Sequence, residues 1–154
     1  MQSPQVRPYR PEDFGPLVAL WRASKRRAFP YVRAQQRHTL ENDEDYFRDA
    51  VLPVADVWVA HKGGILLGFM ALEGDLIDLL FVAVDAQGQG VGTALMNMAK
   101  ELFPNRLRAY TFQRNETARS FFAVQGFAEI GFGVSPPPED EPDVELLWLP
   151  GSDG

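Results

Sequence analysis

The chain has 154 residues, 45% of them hydrophobic, and a formal net charge of -6. That much apolar material supports one core, so we expect one domain over residues 1–150 and a disordered tail at 151–154. The acidic balance argues against binding to nucleic acid or to an anionic membrane surface. The absence of cysteine excludes disulfides, thiolate zinc sites and an acyl-cysteine intermediate.

Hydrophobic periodicity and turn signals predict eleven elements in the order β-α-α-β-β-β-α-β-α-β-β. The predicted strands, in chain order, are Val6 to Arg10, Asp56 to His61, Ile65 to Leu72, Leu76 to Val84, Arg108 to Phe112, Phe127 to Val134 and Val144 to Leu149. The predicted helices are Pro11 to Arg27, Thr39 to Val51, Val91 to Leu102 and Asn115 to Gln125. The stretch from Ala28 to His38 has no clean period. This order predicts an α/β fold with a central mixed sheet flanked by helices.

Three glycines at alternate positions, Gly88, Gly90 and Gly92, lie between the fourth strand and the helix that follows it. Unblocked backbone N–H groups and the helix dipole at such a junction favour an anion, and phosphate is the natural ligand. A mobile turn between strand and helix has the same composition. A Walker loop would need lysine after Gly92, where this chain has Thr93, and the conditions for a dinucleotide-binding fingerprint are not met either.

Two motifs give this segment a specific meaning. Residues 87–92 match the Gln/Arg-x-x-Gly-x-Gly/Ala loop of the GCN5-related N-acetyltransferases, and residues 115–127 resemble that family's Asn-x-x-Ala-x-x-Phe-Tyr-x-x-x-Gly-Phe segment. The two motifs lie on the expected elements at about the right distance. Over Val6 to Leu149 the chain therefore resembles this family, and the run Leu66 to Leu95 looks most like its small stand-alone bacterial members.

The resemblance implies an acyl-CoA N-acyltransferase fold that takes acetyl-CoA as cosubstrate. It implies that loop amides hold the pyrophosphate, that the fourth strand pairs with pantetheine, and that strands four and five splay apart to admit it. The residues it assigns to the cofactor are Phe81, Val82, Val84, Gln87, Gly88, Gln89, Gly90, Val91, Gly92, Thr93, Asn115, Phe121 and Phe122. Many relatives have arginine or lysine in place of Gln87 and Gln89. Lys100 and Arg114 are candidates for the 3′-phosphate, or else solvated surface.

Acyl transfer from a thioester to an amine needs a base, a polarised carbonyl and a proton for the leaving thiolate. Asp78 is the candidate base, because it stands in an otherwise apolar strand and shares parity with Leu80 and Val82. It could instead orient a loop or bind a substrate cation. By resemblance, an N–H near Val82 polarises the carbonyl. Phe122 occupies the place of the family's tyrosine acid, which leaves the proton to water or to Tyr110.

The acceptor is expected to be a primary amine on a small molecule, a peptide or a protein, attacked directly in a ternary complex. Two isolated histidines and no acidic cluster at ligand spacing predict no metal. The run Lys25 to Arg27 either attracts an acidic acceptor or is a solvated helix end. The N-terminus lacks a signal peptide and no apolar run spans a bilayer, so we expect a cytoplasmic protein. Relatives occur as monomers and homodimers.

Two other functions stay open. Phe122, together with Gln87 and Gln89, is compatible with an acyl-CoA-binding module that has lost turnover. The acidic, proline-rich segment Pro136 to Asp143 is compatible with a protein-interaction domain that needs no cofactor.

Overall fold

The computed structural model describes residues 3–151, so Gly151 of the tail predicted at 151–154 is described and the rest of that tail lies outside the range. The described residues form a sheet of seven strands with helices on both faces. The strands are β1 Gln5–Pro8, β2 Asp56–Lys62, β3 Ile65–Glu73, β4 Leu76–Val82, β5 Leu107–Phe112, β6 Ala128–Val134 and β7 Pro142–Trp148. The helices are α1 Phe14–Ala28, α2 Arg33–Arg37, α3 Leu40–Tyr46, α4 Val91–Leu102 and α5 Glu116–Val124.

The strand order in the sheet is β1-β2-β3-β4-β5-β7-β6. Only β4 and β5 are parallel among these neighbouring strands, and every other pair is antiparallel. A parallel pair needs a crossover connection, which α4 supplies between β4 and β5. This arrangement confirms the predicted α/β fold with a mixed sheet.

The helical region before the sheet differs from the prediction in two places. The aperiodic stretch contains the short helix α2, which buries none of its residues and so leaves no apolar period in the sequence. The predicted helix at 39–51 begins as expected, because Thr39 and Asn42 form a capping box, but regular α-helix ends at Tyr46. The chain continues as a π-helical turn over Phe47–Val51.

The hydrophobic core consists of two layers, one on each face of the sheet. One layer joins α1 and the π-helical turn to the sheet through buried residues such as Leu17, Trp21, Phe47 and Phe69. The other joins α4 and α5 to the opposite face through buried residues such as Leu95, Met96, Phe122 and Leu146. Strand β4 contributes to both layers, so its backbone is held from either side.

Two glycines allow the start of α4 to approach its neighbours closely. A Cβ at Gly68 on β3 would lie 2.8 Å from the Phe81 carbonyl oxygen and 2.9 Å from Cγ1 of Val91. A Cβ at Gly92 would lie 3.1 Å from the ring of Phe121 on α5. Because side chains are missing at both positions, the N-terminus of α4 lies tightly between the sheet and α5.

Candidate active site

Strands β4 and β5 form a fork. Their pairing has two register positions, Leu76 with Arg108 and Ile77 with Ala109, although both strands continue further. Beyond the last pair, the two strands line opposite sides of a cleft of about 1550 Å³. The first residues past that pair are Asp78 and Tyr110, so the two candidate side chains for proton transfer stand at the apex of the fork.

The backbone of β4 turns polar groups towards the fork. The N–H of Ala83 donates to the Leu67 carbonyl on β3 at 2.8 Å, so Leu67 and Ala83 form a hydrogen-bonded pair. Because antiparallel pairs alternate, the N–H and C=O of Val82 point away from β3, towards the side where β5 has diverged. Ser24 on α1 donates its hydroxyl to the Val82 carbonyl at 3.0 Å, which agrees with that direction.

Asp78 is the unpaired residue of a β-bulge. Ala71 and Leu72 are adjacent on β3, yet they pair with Leu79 and Ile77, and Asp78 is left between them. The bulge interrupts, at Asp78, the alternation of side chains on which its predicted parity with Leu80 and Val82 depends. Bulges commonly re-aim a side chain next to a functional site, and this one lies at the apex of the fork.

Asp78 is exposed where it lines the cleft, and protein atoms surround part of its carboxyl. Burial raises its pKa above the usual aspartate value, and the negative charge of Glu73 adds to the effect. Tyr46 on α3 faces the same charges: burial raises the pKa of its phenol first, and then Asp78, Glu139 and Glu73 raise it further. This side of the cleft therefore concentrates carboxylates, which favours a cationic ligand.

The loop before α4 presents backbone donors. Gly88 and Gly90 adopt left-handed conformations with φ of +81° and +82°, which few other residues tolerate. Gly90 is the N-cap of α4, and the first helical hydrogen bond runs from Ala94 N–H to the Gly90 carbonyl at 3.0 Å. The N–H groups of residues 91–93 have no intrahelical acceptor, so the helix start can bind a phosphate.

Most of the residues predicted for the site lie around this one cleft. Those that line it are Asp78, Phe81, Val82, Gln87, Gly88, Gly90, Val91, Gly92, Thr93, Tyr110, Asn115, Phe121 and Phe122. Two predicted residues lie outside the lining. Val84 begins the 3-10 turn Val84–Ala86, and the Gln89 amide folds back to donate to the Asp85 carbonyl at 3.4 Å.

Two predicted cofactor residues have clear structural roles. The Asn115 side-chain oxygen accepts the N–H of Ala118 at 3.1 Å and so caps α5. Phe122 is only 6% exposed and lies in the core, with its ring centroid 5.0 Å from that of Phe127. It offers no proton to a leaving group at the place where the family's tyrosine is expected.

The two candidate cations for the 3′-phosphate are both engaged within the protein. Lys100 donates to the Gln125 carbonyl at 2.7 Å. The Arg114 guanidinium makes two bonds of 2.7 Å to the Glu141 carboxylate and lies over the ring of Tyr31. Neither is simply a solvated surface cation, because each ties two parts of the fold together.

A buried cluster of charged side chains between α1 and α3 was not predicted from the sequence. Lys25 is 3% exposed, bonds to Asp43 at 2.8 Å and lies 3.7 Å from the centroid of the Trp21 ring. Burial lowers the pKa of Lys25, and Asp43, which Arg22 also contacts at 2.7 Å, opposes that shift. The interpretation of residues 25–27 as a solvated helix end is wrong for Lys25. The spacing of Arg22 and Lys25 on one helix face was the available signal.

The proline-rich segment forms part of the cleft rim. The Gln35 side chain on α2 donates to Glu139 at 3.0 Å, across the cleft from the sheet. Glu141 is 5% exposed, and its N–H donates to the Ser135 hydroxyl at 3.0 Å. These contacts hold the acidic loop at the rim of the cleft.

Within residues 3–151, the histidine and acidic side chains form no group of three or more that could hold a metal ion. In the same range, no helix has both the length and the apolar character needed to cross a membrane.

Comparison with known proteins identifies the family. The family model of the acetyltransferase (GNAT) domain matches residues 32–135. The peptidyl-lysine N-acetyltransferases YjaB and YiaC of Escherichia coli K12 are 35% and 31% identical to the chain, over 82% and 79% of it and 83% and 82% of their own lengths.

Solved structures agree with the sequence relatives. The solution structure of apo YjaB from Escherichia coli has a TM-score of 0.78 and 29% identity, over 97% of this chain and all of that one. A GCN5-related N-acetyltransferase from Rhodopseudomonas palustris has a TM-score of 0.79 and 27% identity, over 97% of each chain. The glycine loop, the forked sheet and these likenesses together establish that the chain belongs to the GCN5-related N-acetyltransferase (GNAT) family.

Proposed function

We propose that this N-acetyltransferase moves an acetyl group from acetyl-CoA to the side-chain amine of a lysine in a peptide or protein. The observation that carries the proposal is the fork between β4 and β5, with Asp78 and Tyr110 at its apex and the N-terminus of α4 beside it. The relatives YjaB and YiaC, both named peptidyl-lysine N-acetyltransferases, support the choice of acceptor.

The residues present fit acetyl-CoA, which supplies the acetyl thioester. The N–H groups of residues 91–93 and the left-handed Gly88 and Gly90 would hold the pyrophosphate. The polar groups of β4 that face the fork would pair with the pantetheine arm, since β5 no longer occupies them. Backbone donors would carry most of this binding, because Gln87 and Gln89 bring no charge.

The chain's own groups divide the proton transfers. The Val82 N–H would donate to the carbonyl oxygen that becomes negative during attack. Asp78, whose pKa is raised by burial, would accept the proton of the attacking amine, because a more basic carboxylate is better matched to that task. Tyr110 or water would return a proton to the thiolate, whose pKa of about 8.5 makes it a tolerable leaving group without strong assistance.

The acceptor side favours a cation with an alkyl stem. The negative charges of Asp78, Glu139 and Glu73 all act on the exposed side chain of Tyr46 and raise the pKa of its phenol after burial. A lysine side chain offers one ammonium on a flexible apolar chain, which suits an aromatic wall with acidic groups at its rim. The chain has no cysteine, which excludes an acyl-cysteine intermediate, and the acceptor amine would attack the thioester directly in a ternary complex.

Peptide acetylation measured by mass spectrometry tests the proposal. Peptides with a single internal lysine are incubated with acetyl-CoA and the protein, and matched peptides with arginine at that position are the control. We expect acetylation of the lysine peptides alone, dependent on the protein. Acetyl-CoA binding without transfer to any amine would instead support an acyl-CoA-binding module. Phe122 suggests that alternative, because it stands where the family has its proton-donating tyrosine. Absence of acetyl-CoA binding would overturn the proposal.

A further inference from the structure

A side-chain hydrogen bond joins the start of α4 to the end of α5. The Gln125 amide nitrogen donates to the Thr93 hydroxyl oxygen at 3.1 Å. Thr93 is exposed on the first turn of α4 and lines the cleft, whereas Gln125 is 8% exposed behind it. A buried side chain thus contacts a residue at the helix start that we assign to the cofactor phosphates.

The position of Gln125 is fixed by its backbone. Its N–H donates to the Phe121 carbonyl at 3.1 Å, as the last turn of α5 closes. Its C=O accepts from Lys100, in the last turn of α4, at 2.7 Å. The residue is therefore bonded to both ends of α4, to Thr93 at its start and to Lys100 near its finish. Little freedom remains for its side chain to turn away.

The bond decides where the Thr93 hydroxyl proton points. A hydroxyl has one proton to donate and two lone pairs that accept. When the oxygen accepts from the Gln125 amide, its proton must point elsewhere, and Thr93 is exposed where it lines the cleft, beside the free N–H groups of residues 91–93. A hydroxyl held in this way adds a donor at the place where we put the pyrophosphate.

We propose that Gln125 is a positioning residue that orients the Thr93 hydroxyl as a hydrogen-bond donor to the pyrophosphate of CoA. The inference rests on the proposed function, because it requires CoA at the start of α4. It gives this chain a neutral donor where Gln87 and Gln89 bring no charge and where Lys100 and Arg114 are engaged in other contacts. A carboxylate at position 125 would accept the hydroxyl proton instead and repel the phosphates.

A double-mutant cycle on the CoA dissociation constant tests the inference. Gln125→Met removes the amide but keeps an unbranched side chain of similar length, and Thr93→Val removes the hydroxyl at constant shape. We expect Gln125→Met to weaken CoA binding about three- to tenfold, and Thr93→Val by at least as much. In the Thr93→Val background, Gln125→Met should have no further effect.

Two further variants separate orientation from packing. Gln113→Met removes a comparable amide bond, to the Asp143 carbonyl at 3.0 Å, and should leave CoA affinity unchanged. Gln125→Glu should weaken CoA binding more than Gln125→Met at pH 7, although it keeps the size of the side chain. The loss of CoA affinity in Gln125→Glu, compared with wild type at the same pH, should shrink as the pH falls, because the carboxyl then gains a proton to donate.

Three results overturn the inference. The first is equal weakening by Gln125→Met in both Thr93 backgrounds, which would mean that the residue acts through packing alone. The second is a Gln125→Glu variant that binds CoA as tightly as wild type at pH 7. If the wild-type protein binds no CoA at all, the proposed function fails and the inference fails with it, whereas the first two results leave the proposed function standing.

Discussion

The two sides of the cleft consist of different groups, backbone on one side and side chains on the other. The cofactor side consists mostly of backbone: the fork-facing groups of β4, the turn with Gly88 and Gly90, and the first N–H groups of α4. The acceptor side consists of side chains from distant parts of the chain, among them Tyr46, Asp78 and Glu139. A backbone site is specified by local conformation, whereas the side-chain site depends on how separate segments pack.

The difference predicts how each side responds to substitution. Changes on the cofactor side should alter CoA affinity through backbone conformation. Changes on the acceptor side should alter turnover, acceptor affinity or stability while CoA affinity is kept.

Asp78→Asn should give the largest effect. Loss of the base is expected to lower turnover about 100-fold or more at neutral pH, with unchanged CoA affinity. The deficit should shrink as the pH rises towards the amine pKa of about 10, because the acceptor then arrives deprotonated. Initial rates across pH, for wild type and variant, measure this. Full activity of the variant at every pH would remove Asp78 from the mechanism.

The same variant should not lose stability. Burial raises the folded-state pKa of Asp78, so its ionisation destabilises the native protein as the pH rises from the unfolded pKa through the folded pKa. At pH 7 the neutral asparagine avoids that cost, and the melting temperature should rise. At a pH below both pKa values the difference should disappear.

Asp43→Asn should destabilise the acceptor side by about 3 kcal/mol, because Lys25 and Arg22 would lose their shared charged partner. Asp43 and Lys25 are both buried, so little solvent can replace the contact. Chemical denaturation measures the free energy of unfolding. Asp45→Asn, on the same helix, breaks an exposed pair with Arg48 and should cost less than about 1 kcal/mol. Equal losses in both variants would contradict a buried cluster.

Gly90→Ala should weaken CoA binding about tenfold, because a left-handed conformation costs other residues about 1–2 kcal/mol. A Cβ at this position meets nothing within 4 Å, so the effect would come from backbone strain alone. Gly64→Ala is a matched control, with the same φ of +82° and open space, in the turn between β2 and β3. Calorimetric titration should find weaker CoA binding in Gly90→Ala alone.

Arg114→Lys should give the smallest effect, a rise of a few-fold in the acceptor KM with unchanged CoA affinity, because lysine cannot form the two-pronged bond to Glu141. Arg119→Lys loses the same kind of bond, to Glu129, away from the cleft and should leave the acceptor KM unchanged. An equal rise in both variants would show that the Arg114 contact has no special part in shaping the rim.

The contact between Arg114 and Glu141 also makes the stability of the protein depend on pH. The bond from Arg114 holds the pKa of the Glu141 carboxyl below its usual range. Its stabilisation is therefore complete above the ordinary glutamate pKa of about 4.3 and is lost as the pH falls through the lowered pKa. The difference in melting temperature between wild type and Arg114→Lys should shrink over that acidic range.

The sequence predicted the backbone side of the cleft well, for a physical reason. Glycines at 88 and 90 encode left-handed conformations directly, and the apolar period of α4 gave its bounds of Val91–Leu102. The bulge at Asp78 could not be predicted, because it depends on the register between β3 and β4. The pairing of Lys25 with Asp43 joins residues 18 apart, so the spacing of Arg22 and Lys25 on α1 could not identify Asp43 as their partner.

Initial rates with both substrates varied test the central claim, that one cleft holds cofactor and acceptor together. CoA release is followed at several concentrations of acetyl-CoA and of a lysine peptide. The account predicts double-reciprocal lines that intersect, as direct transfer in a ternary complex requires. Parallel lines, with an acetylated form of the protein detected by mass spectrometry, would contradict it.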